Sequence, residues 1–250
     1  MPLPKIDKPI YEVYLKSLDK KVKFRPFTVK EEKLLLMAMT ENNSTPEDEM
    51  TALNAIKQVA NNCLIDTVDV EKLPMFDLEM LFLHLRARSI NEIATIKFMC
   101  NNLVKTPEGE DKPCGSETTV DYNILDSKLV VPDGHTNVIK LSDTVSVKMK
   151  YADLRLIKDL SFIAELDDDF IKFVASQIEF ILDGNEMYSS DTIALSDFVE
   201  FMEHLTRAQV FDLANFFTTT PRVIGDIKYT CSKCGFNHEL ELEGIQNFFD

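Results

Sequence analysis

Two stretches of this sequence, Ile96-Lys97-Phe98-Met99-Cys100 and Ile227-Lys228-Tyr229-Thr230-Cys231, share one pattern that ends in a cysteine. A second cysteine and a glycine follow each stretch, as Cys114-Gly115 and as Cys234-Gly235. Glycine suits a turn with positive φ, a conformation that strains other residues. The unit of strand, cysteine, loop, Cys-Gly and returning strand therefore occurs twice. The repeat predicts two antiparallel β-hairpins, zinc-knuckle-like in sequence, with two thiols each.

The four paired cysteines, Cys100, Cys114, Cys231 and Cys234, are the candidate metal ligands. Cys231 and Cys234 are separated by two residues, a spacing that lets both thiolates reach one ion. If the two hairpins pack side by side, the four thiolates form a closed site for one structural zinc ion, and no other cofactor is expected. A polar loop of 13 residues between Cys100 and Cys114 argues against this site, since a compact pair would hold an ion more reliably.

Two other interpretations of these thiols stay open. The hairpins could fold without metal, or the thiols could serve redox chemistry or have no role. His238 could replace one thiolate as a ligand, but a solvated strand histidine is the simpler expectation for it. Cys63 has no cysteine neighbour in the sequence, and we expect it to be a buried structural thiol.

The composition limits the class of partner. The chain has 250 residues, of which 45% are hydrophobic, enough for a substantial core. It carries 42 acidic and 27 basic residues, a formal net charge of −15. Nucleic acid is therefore not expected as the main partner, because phosphate binding needs a basic surface. The charge favours either simple solubility or a negative face that meets a basic partner protein.

The termini and cysteine usage indicate a reducing compartment. Residues 1–8 carry charges and two prolines, so no secretory signal is predicted there. No apolar run of about 18 residues occurs, and no membrane contact is expected. In a reducing cytosol, paired cysteine spacings point to metal more than to disulfides.

The remaining segments predict an α+β fold of helical segments with antiparallel β-hairpins. Arg25, at the end of an N-terminal hairpin, is expected to bind Glu31 or Glu32 in the first turn of the next helix. Asp77 is expected to cap a third helix, and an aspartate run at 167–169 to cap a helix that continues to Leu182. Four parts are predicted: residues 1–90, an N-terminal hairpin with helices; 91–150, β-hairpins that include the first cysteine hairpin; 151–221, helices; and 222–250, the second cysteine hairpin and a tail.

An enzyme is not expected from the motifs. The four histidines, at 84, 135, 204 and 238, form no H-E-x-x-H pattern. No G-x-S-x-G and no phosphate-binding glycine loop occurs either. A thioredoxin-like C-x-x-C would open a helix after a strand, whereas Cys231 and Cys234 lie between two predicted strands.

The order of the segments resembles a phage family, and the following residues carry that resemblance: Lys23-Phe24-Arg25-Pro26-Phe27, Val29-Lys30-Glu31-Glu32-Lys33-Leu34-Leu35, Ile56-Lys57-Gln58-Val59 with Asn61-Asn62-Cys63, Leu73-Pro74-Met75-Phe76-Asp77-Leu78-Glu79, Arg86-Ala87-Arg88-Ser89, Phe216-Phe217 leading to Pro221, and Cys231-Ser232-Lys233-Cys234-Gly235. The chain is similar, over nearly its whole length, to the baseplate hub proteins of T-even-type contractile-tailed bacteriophages.

This resemblance implies a non-enzymatic late phage protein, either a subunit of the baseplate central hub or a hub assembly factor. It implies no catalytic residues, and it implies other baseplate hub and tail-initiation proteins as partners. The expected location is the host cytoplasm during assembly and the tail baseplate of the virion. The alternatives are a transient zinc-stabilised chaperone or adaptor that is absent from the mature virion, and a cytosolic redox protein that uses Cys231 and Cys234.

Overall fold

A computed structural model describes residues 6–40, 46–105, 109–151 and 168–244 of the chain. The protein is divided into two compact units. The first unit combines Met1–Val130 with Arg222–Asp250, and the second is Val131–Pro221. All strand pairs in the described part are antiparallel, and six α-helices occur there, so the predicted α+β class is confirmed.

The elements follow each other in this order. The first unit begins with β1 Tyr11–Leu15, β2 Lys20–Phe24, α1 Val29–Thr40, α2 Pro46–Cys63, α3 Met75–Ser89, β3 Ile93–Met99, β4 Leu103–Lys105, β5 Asp111–Pro113, β6 Glu117–Asn123 and β7 Lys128–Val130. The second unit contains β8 Val138–Lys140, β9 Val145–Met149, α4 Asp168–Ser176, β10 Ile178–Asp183, β11 Glu186–Ser189, α5 Leu195–Glu203 and α6 Arg207–Thr218. The chain then completes the first unit with β12 Arg222–Thr230 and β13 Asn237–Glu243.

The N-terminal core lies between the β1–β2 hairpin and the helices α1, α2 and α3. Strand alternation directs Val13, Leu15, Val22 and Phe24 of the hairpin to the buried face. The helices contribute Leu35, Leu81, Phe82 and Leu85, which are buried, and Leu34, which is partly buried against them. The hairpin and the three helices therefore share one hydrophobic core.

A bidentate ion pair fixes the junction between β2 and α1. Arg25 donates from Nη2 and Nη1 to the two carboxylate oxygens of Glu31 at 2.7 and 3.0 Å, as predicted. The backbone N–H of Thr28 also donates to Glu31, at 2.7 Å. These bonds, that of Arg25 above all, lower the pKa of Glu31 to about 2.

Asp77 has a different role from the predicted one. The helix α3 begins at Met75, with Pro74 at its N-cap, so Asp77 lies inside the first turn. Its carboxylate accepts hydrogen bonds from the backbone N–H groups of Lys16 and Ser17, both at 2.8 Å. Asp77 therefore anchors the β1–β2 turn to α3 instead of capping the helix.

The second unit packs α4, α5 and α6 with a four-stranded sheet in the order β11-β10-β9-β8. The helix predicted to continue to Leu182 ends at Ser176, and the prediction is wrong beyond that residue. The chain continues as the strand β10, in which the β-branched Ile178 and Ile181 pair with β9. Near the start of the helical part expected from residue 151, residues 152–167, which include Asp167, lie outside the described residues.

The helix α6 begins at a capping box. Thr206 and Gln209 form a capping box in which each side chain binds the backbone of the other residue. No helix in the described residues is both long and apolar enough to cross a membrane.

Candidate metal site

Each paired-cysteine stretch forms one side of a β-hairpin in the first unit. The strand β3 pairs with β6, and their last pair is Met99 with Glu117. The strand β12 pairs with β13, and their last pair is Thr230 with Asn237. Cys100 and Cys231 therefore follow the first strand of each hairpin at equivalent positions. The predicted repeat of strand, cysteine and returning strand is present in the structure.

The two turns are equivalent in their backbone hydrogen bonds as well. The N–H of Gly115 donates to the carbonyl of Cys100 at 2.9 Å, and the N–H of Gly235 donates to that of Cys231 at the same distance. The N–H groups of these two cysteines donate to Ser116 and Phe236, again at 2.9 Å. Both glycines have positive φ, 63° and 71°, as predicted for this turn.

The long polar segment of the first turn contains a strand pair of its own, β4 with β5. It leaves the turn at Asn102 and returns at Cys114, where the N–H of Cys114 donates to the carbonyl of Asn102 at 2.8 Å. The insertion therefore lies between positions equivalent to Lys233 and Cys234 of the second turn. Because its two ends are closed against each other, it does not separate Cys100 from Cys114.

The four paired cysteines meet in one cluster, as the sequence predicted for side-by-side hairpins. Their sulfur atoms all lie within 4.8 Å of one another, with Cys100 3.6 Å from Cys234 and Cys114 3.9 Å from Cys231. Three of the four side chains are buried, and Cys234 is partly buried. The two sulfur–sulfur distances are too long for disulfides, in which the sulfurs are about 2.05 Å apart.

The cluster has the dimensions of a tetrahedral thiolate site. A zinc–sulfur bond of about 2.3 Å places the corners of a regular tetrahedron roughly 3.8 Å apart, between the two observed distances. The thiolates come in two pairs, one from each hairpin, as in closed structural sites. The four residues could therefore hold one metal ion, and the soft sulfur set favours zinc over magnesium or calcium.

The thiols of the cluster differ in how readily they ionise. Hydrogen bonds from the backbone of Cys234 and Lys233 lower the pKa of the Cys231 thiol to about 6. Burial raises the pKa of Cys100 to about 12. Four negative sulfurs at these distances repel one another strongly, so a cation is what allows all of them to ionise.

His238 lies next to the cluster, although the sequence suggested a solvated strand histidine. The residue is buried, and its Nε2 is 3.1 Å from the sulfur of Cys100. The expectation of solvent exposure was wrong because His238 lies on the same face of β13 as the buried Leu242. Strand alternation was the signal in the sequence that could have placed it inside.

Asn102 is a neighbour of the cluster that the sequence analysis did not single out. Its Nδ2 donates to the sulfur of Cys234 at 3.7 Å. Lys233 also approaches, and its Nζ donates to the carbonyl of Cys114 at 3.2 Å. Neither contact could be foreseen, since both depend on how one turn lies against the other.

Cys63 is not part of this cluster. It is fully buried in the N-terminal core, as expected for a structural thiol, and burial raises its pKa to about 12. The guanidinium of Arg25 lies 3.6 Å from its sulfur. A buried thiol that remains protonated is a poor nucleophile, which agrees with a packing role.

Fold and site together define an α+β protein in which a buried four-cysteine cluster joins two β-hairpins. A family model described as T4 bacteriophage base plate protein matches residues 8–250, nearly the whole chain. The protein therefore belongs to this family of bacteriophage base plate proteins. No curated protein and no solved structure matches the chain at a significant level.

Proposed function

We propose that this protein acts, without catalysis, in the assembly of the central hub of the phage baseplate, by contact with other hub and tail-initiation proteins. The observation that carries the proposal is the family match over residues 8–250. The resemblance of the segments quoted above to baseplate hub proteins supports the hub as the place of action. The protein would work in the host cytoplasm during assembly and in the tail baseplate of the virion.

The surroundings of the four histidines agree with a role through protein–protein contact. The histidines have structural neighbours: His84 lies edge-on to Phe24, His135 binds Thr219 and Tyr151, His204 binds the carbonyl of Glu200, and His238 contacts Cys100. A general acid or base would need to face a substrate cavity. The formal net charge of −15 suits a basic partner protein, and such an association should slow as salt is added.

We further propose that Cys100, Cys114, Cys231 and Cys234 hold one structural zinc ion that clamps the two hairpins. The size of the cluster and its paired origin support this part of the proposal. The clamp would join the middle of the chain to its end, because its two pairs of ligands are more than a hundred residues apart. Such a metal would stabilise the fold without taking part in any reaction.

The function is tested by infection with a phage that lacks the gene for this protein. The expected result is filled heads without complete baseplates or tails, and supply of the wild-type protein in trans should restore tails. A Cys231→Ser and Cys234→Ser double variant should restore fewer tails if the clamp is needed, whereas Cys63→Ala serves as a matched control. Normal tails from the null phage would overturn the hub proposal.

Two further measurements separate the alternatives. Mass spectrometry of purified tails should detect the protein if it is a hub subunit, and its absence there would favour a transient assembly chaperone. Thiol titration with and without a chelator tests the redox alternative. Thiols that become reactive only after chelation support a metal clamp, while a Cys231–Cys234 pair that cycles without a chelator supports redox chemistry.

A further inference from the structure

We propose that His238 and Asn102 are positioning residues of the four-cysteine site. Each donates an N–H···S hydrogen bond to a cysteine of the other hairpin and so holds the two hairpins together. This inference rests on the proposed zinc site and assigns the groups that orient its thiolates. Neither residue is counted among the ligands.

The two hydrogen bonds are reciprocal. His238 belongs to the second hairpin and reaches the sulfur of Cys100 in the first, at 3.1 Å. Asn102 belongs to the first turn and reaches the sulfur of Cys234 in the second, at 3.7 Å. These two sulfurs are themselves 3.6 Å apart. Each hairpin therefore donates one hydrogen bond to a sulfur of the other hairpin, at the place where the two hairpins meet.

The ring of His238 is held in one orientation by its neighbours. Tyr229 stacks on one side of the ring, with centroids 4.7 Å apart and planes 12° from parallel. Phe236 lies edge-on to the ring, with a centroid distance of 4.8 Å. The nitrogen that faces Cys100 is Nε2, and a zinc-bound thiolate accepts and cannot donate, so in the proposed site the Nε2–H of His238 is the donor.

The charge of the site explains why such donors matter. Four thiolates and one divalent zinc ion leave a net charge of about −2 in a buried position. The whole protein is already acidic, with a formal net charge of −15. Donors aimed at the sulfurs offset part of this charge and fix the direction of each ligand. Loss of such an outer partner typically lowers metal affinity by about 10- to 100-fold.

The experiment compares full-length variants that differ in the donor alone. His238→Phe removes the N–H but keeps an aromatic ring between Tyr229 and Phe236. His238→Gln restores an amide N–H near the position of Nε2. Asn102→Ala removes the reciprocal donor, and His204→Phe, at an exposed histidine of the second unit, is the matched control. The affinity for Zn²⁺ is measured by competition with a chelator, and the ligand set is determined from the absorption spectrum of the Co²⁺-loaded protein.

The proposal predicts that His238→Phe weakens zinc binding by about 10- to 100-fold, and that Asn102→Ala weakens it in the same direction. His238→Gln should recover most of the affinity, and His204→Phe should bind as the wild type does. The Co²⁺ spectrum should indicate four sulfur ligands in every variant. A wild-type spectrum with a nitrogen ligand that His238→Phe removes would overturn the proposal, because His238 would then be a ligand.

The outcomes also separate this inference from the zinc proposal. Wild-type affinity in both His238→Phe and Asn102→Ala overturns the positioning roles and leaves the zinc site intact. A wild-type protein that takes up no zinc overturns both. If His238→Phe does not fold, Asn102→Ala carries the test, since it alters a turn residue that is only partly buried. Wild-type affinity for Zn²⁺ in Asn102→Ala would then overturn the proposed positioning roles.

Discussion

Phe98 and Tyr229 stack face to face, with ring centroids 5.3 Å apart and planes 18° from parallel. One ring comes from β3 and the other from β12, and each stands two residues before the first cysteine of its hairpin. The ring of His238 also stacks on Tyr229, with planes 12° from parallel. Aromatic contact therefore joins the two hairpins beside the thiols, and it does so without needing a metal.

The stack should contribute measurably to stability in metal-free protein. We expect a double-mutant cycle of Phe98→Leu and Tyr229→Leu to give a coupling energy of about 0.5–1.5 kcal/mol. Urea unfolding in the presence of a chelator measures it, so that ligand loss does not contribute. The contact between Tyr229 and His238 is lost in both variants that lack Tyr229 and cancels in the cycle. If the effects of the two single variants on the free energy of unfolding simply add, the two rings do not stabilise each other.

The zinc content of the protein should depend on the four clustered cysteines and not on Cys63. We expect about one equivalent of zinc in the wild-type protein and in Cys63→Ala, and none above background in Cys231→Ser, because a structural site needs all four ligands. Elemental analysis of the purified proteins measures this. Full zinc retention in Cys231→Ser would exclude the shared site. A metal-free wild type whose melting temperature does not respond to zinc would indicate hairpins that fold without metal.

The ligands of the cluster could be predicted from the sequence because its unit is a repeat. The pattern that ends in Cys100 recurs before Cys231, and a glycine follows the second cysteine of each turn. The effect of the long insertion could not be predicted in this way. Whether a loop of thirteen residues separates the two thiols depends on the closing hydrogen bond between Cys114 and Asn102, which is a matter of local folding.

The errors in the predicted elements have a common physical cause. In the sequence, Asp77 has the residue type and the position of a helix cap. In the structure its carboxylate instead accepts hydrogen bonds from two backbone N–H groups of the β1–β2 turn. The residues after Ser176 contain apolar side chains that suit a helix or a buried strand, and pairing with β9 decides for the strand. In both cases a partner distant in sequence overrides a local preference.

Gly225 of β12 should not tolerate a side chain. A Cβ at this position would lie 2.8 Å from the hydroxyl oxygen of Tyr122 on β6 and about as close to its ring. We expect Gly225→Ala to lower the free energy of unfolding by about 1–3 kcal/mol, since the ring must move in a packed interior. Urea unfolding measures the loss. Tyr122→Phe in the same chain should recover part of it by removing the nearest atom, and an equal loss in both backgrounds would contradict the steric explanation.

Glu79 on α3 has a buried carboxyl group that makes the stability of the protein depend on pH. Burial, with a smaller effect of the charge on Glu243, raises its pKa from 4.5 to about 7. The folded protein therefore keeps this proton at a pH where the unfolded chain has released it. Stability from this group is complete below about pH 4.5 and is lost as the pH rises towards 7, by an amount on the order of 2–3 kcal/mol.

Glu79→Gln should remove this dependence, because the amide does not titrate. We expect the difference in unfolding free energy between the variant and the wild type to shift in favour of the variant from pH 5 to pH 7, as measured by urea unfolding at several pH values. Glu31→Gln is the matched control: the folded pKa of Glu31 is about 2, so its carboxylate stays charged throughout this range and the slope should remain. A wild-type slope that persists unchanged in Glu79→Gln would show that another group titrates in its place.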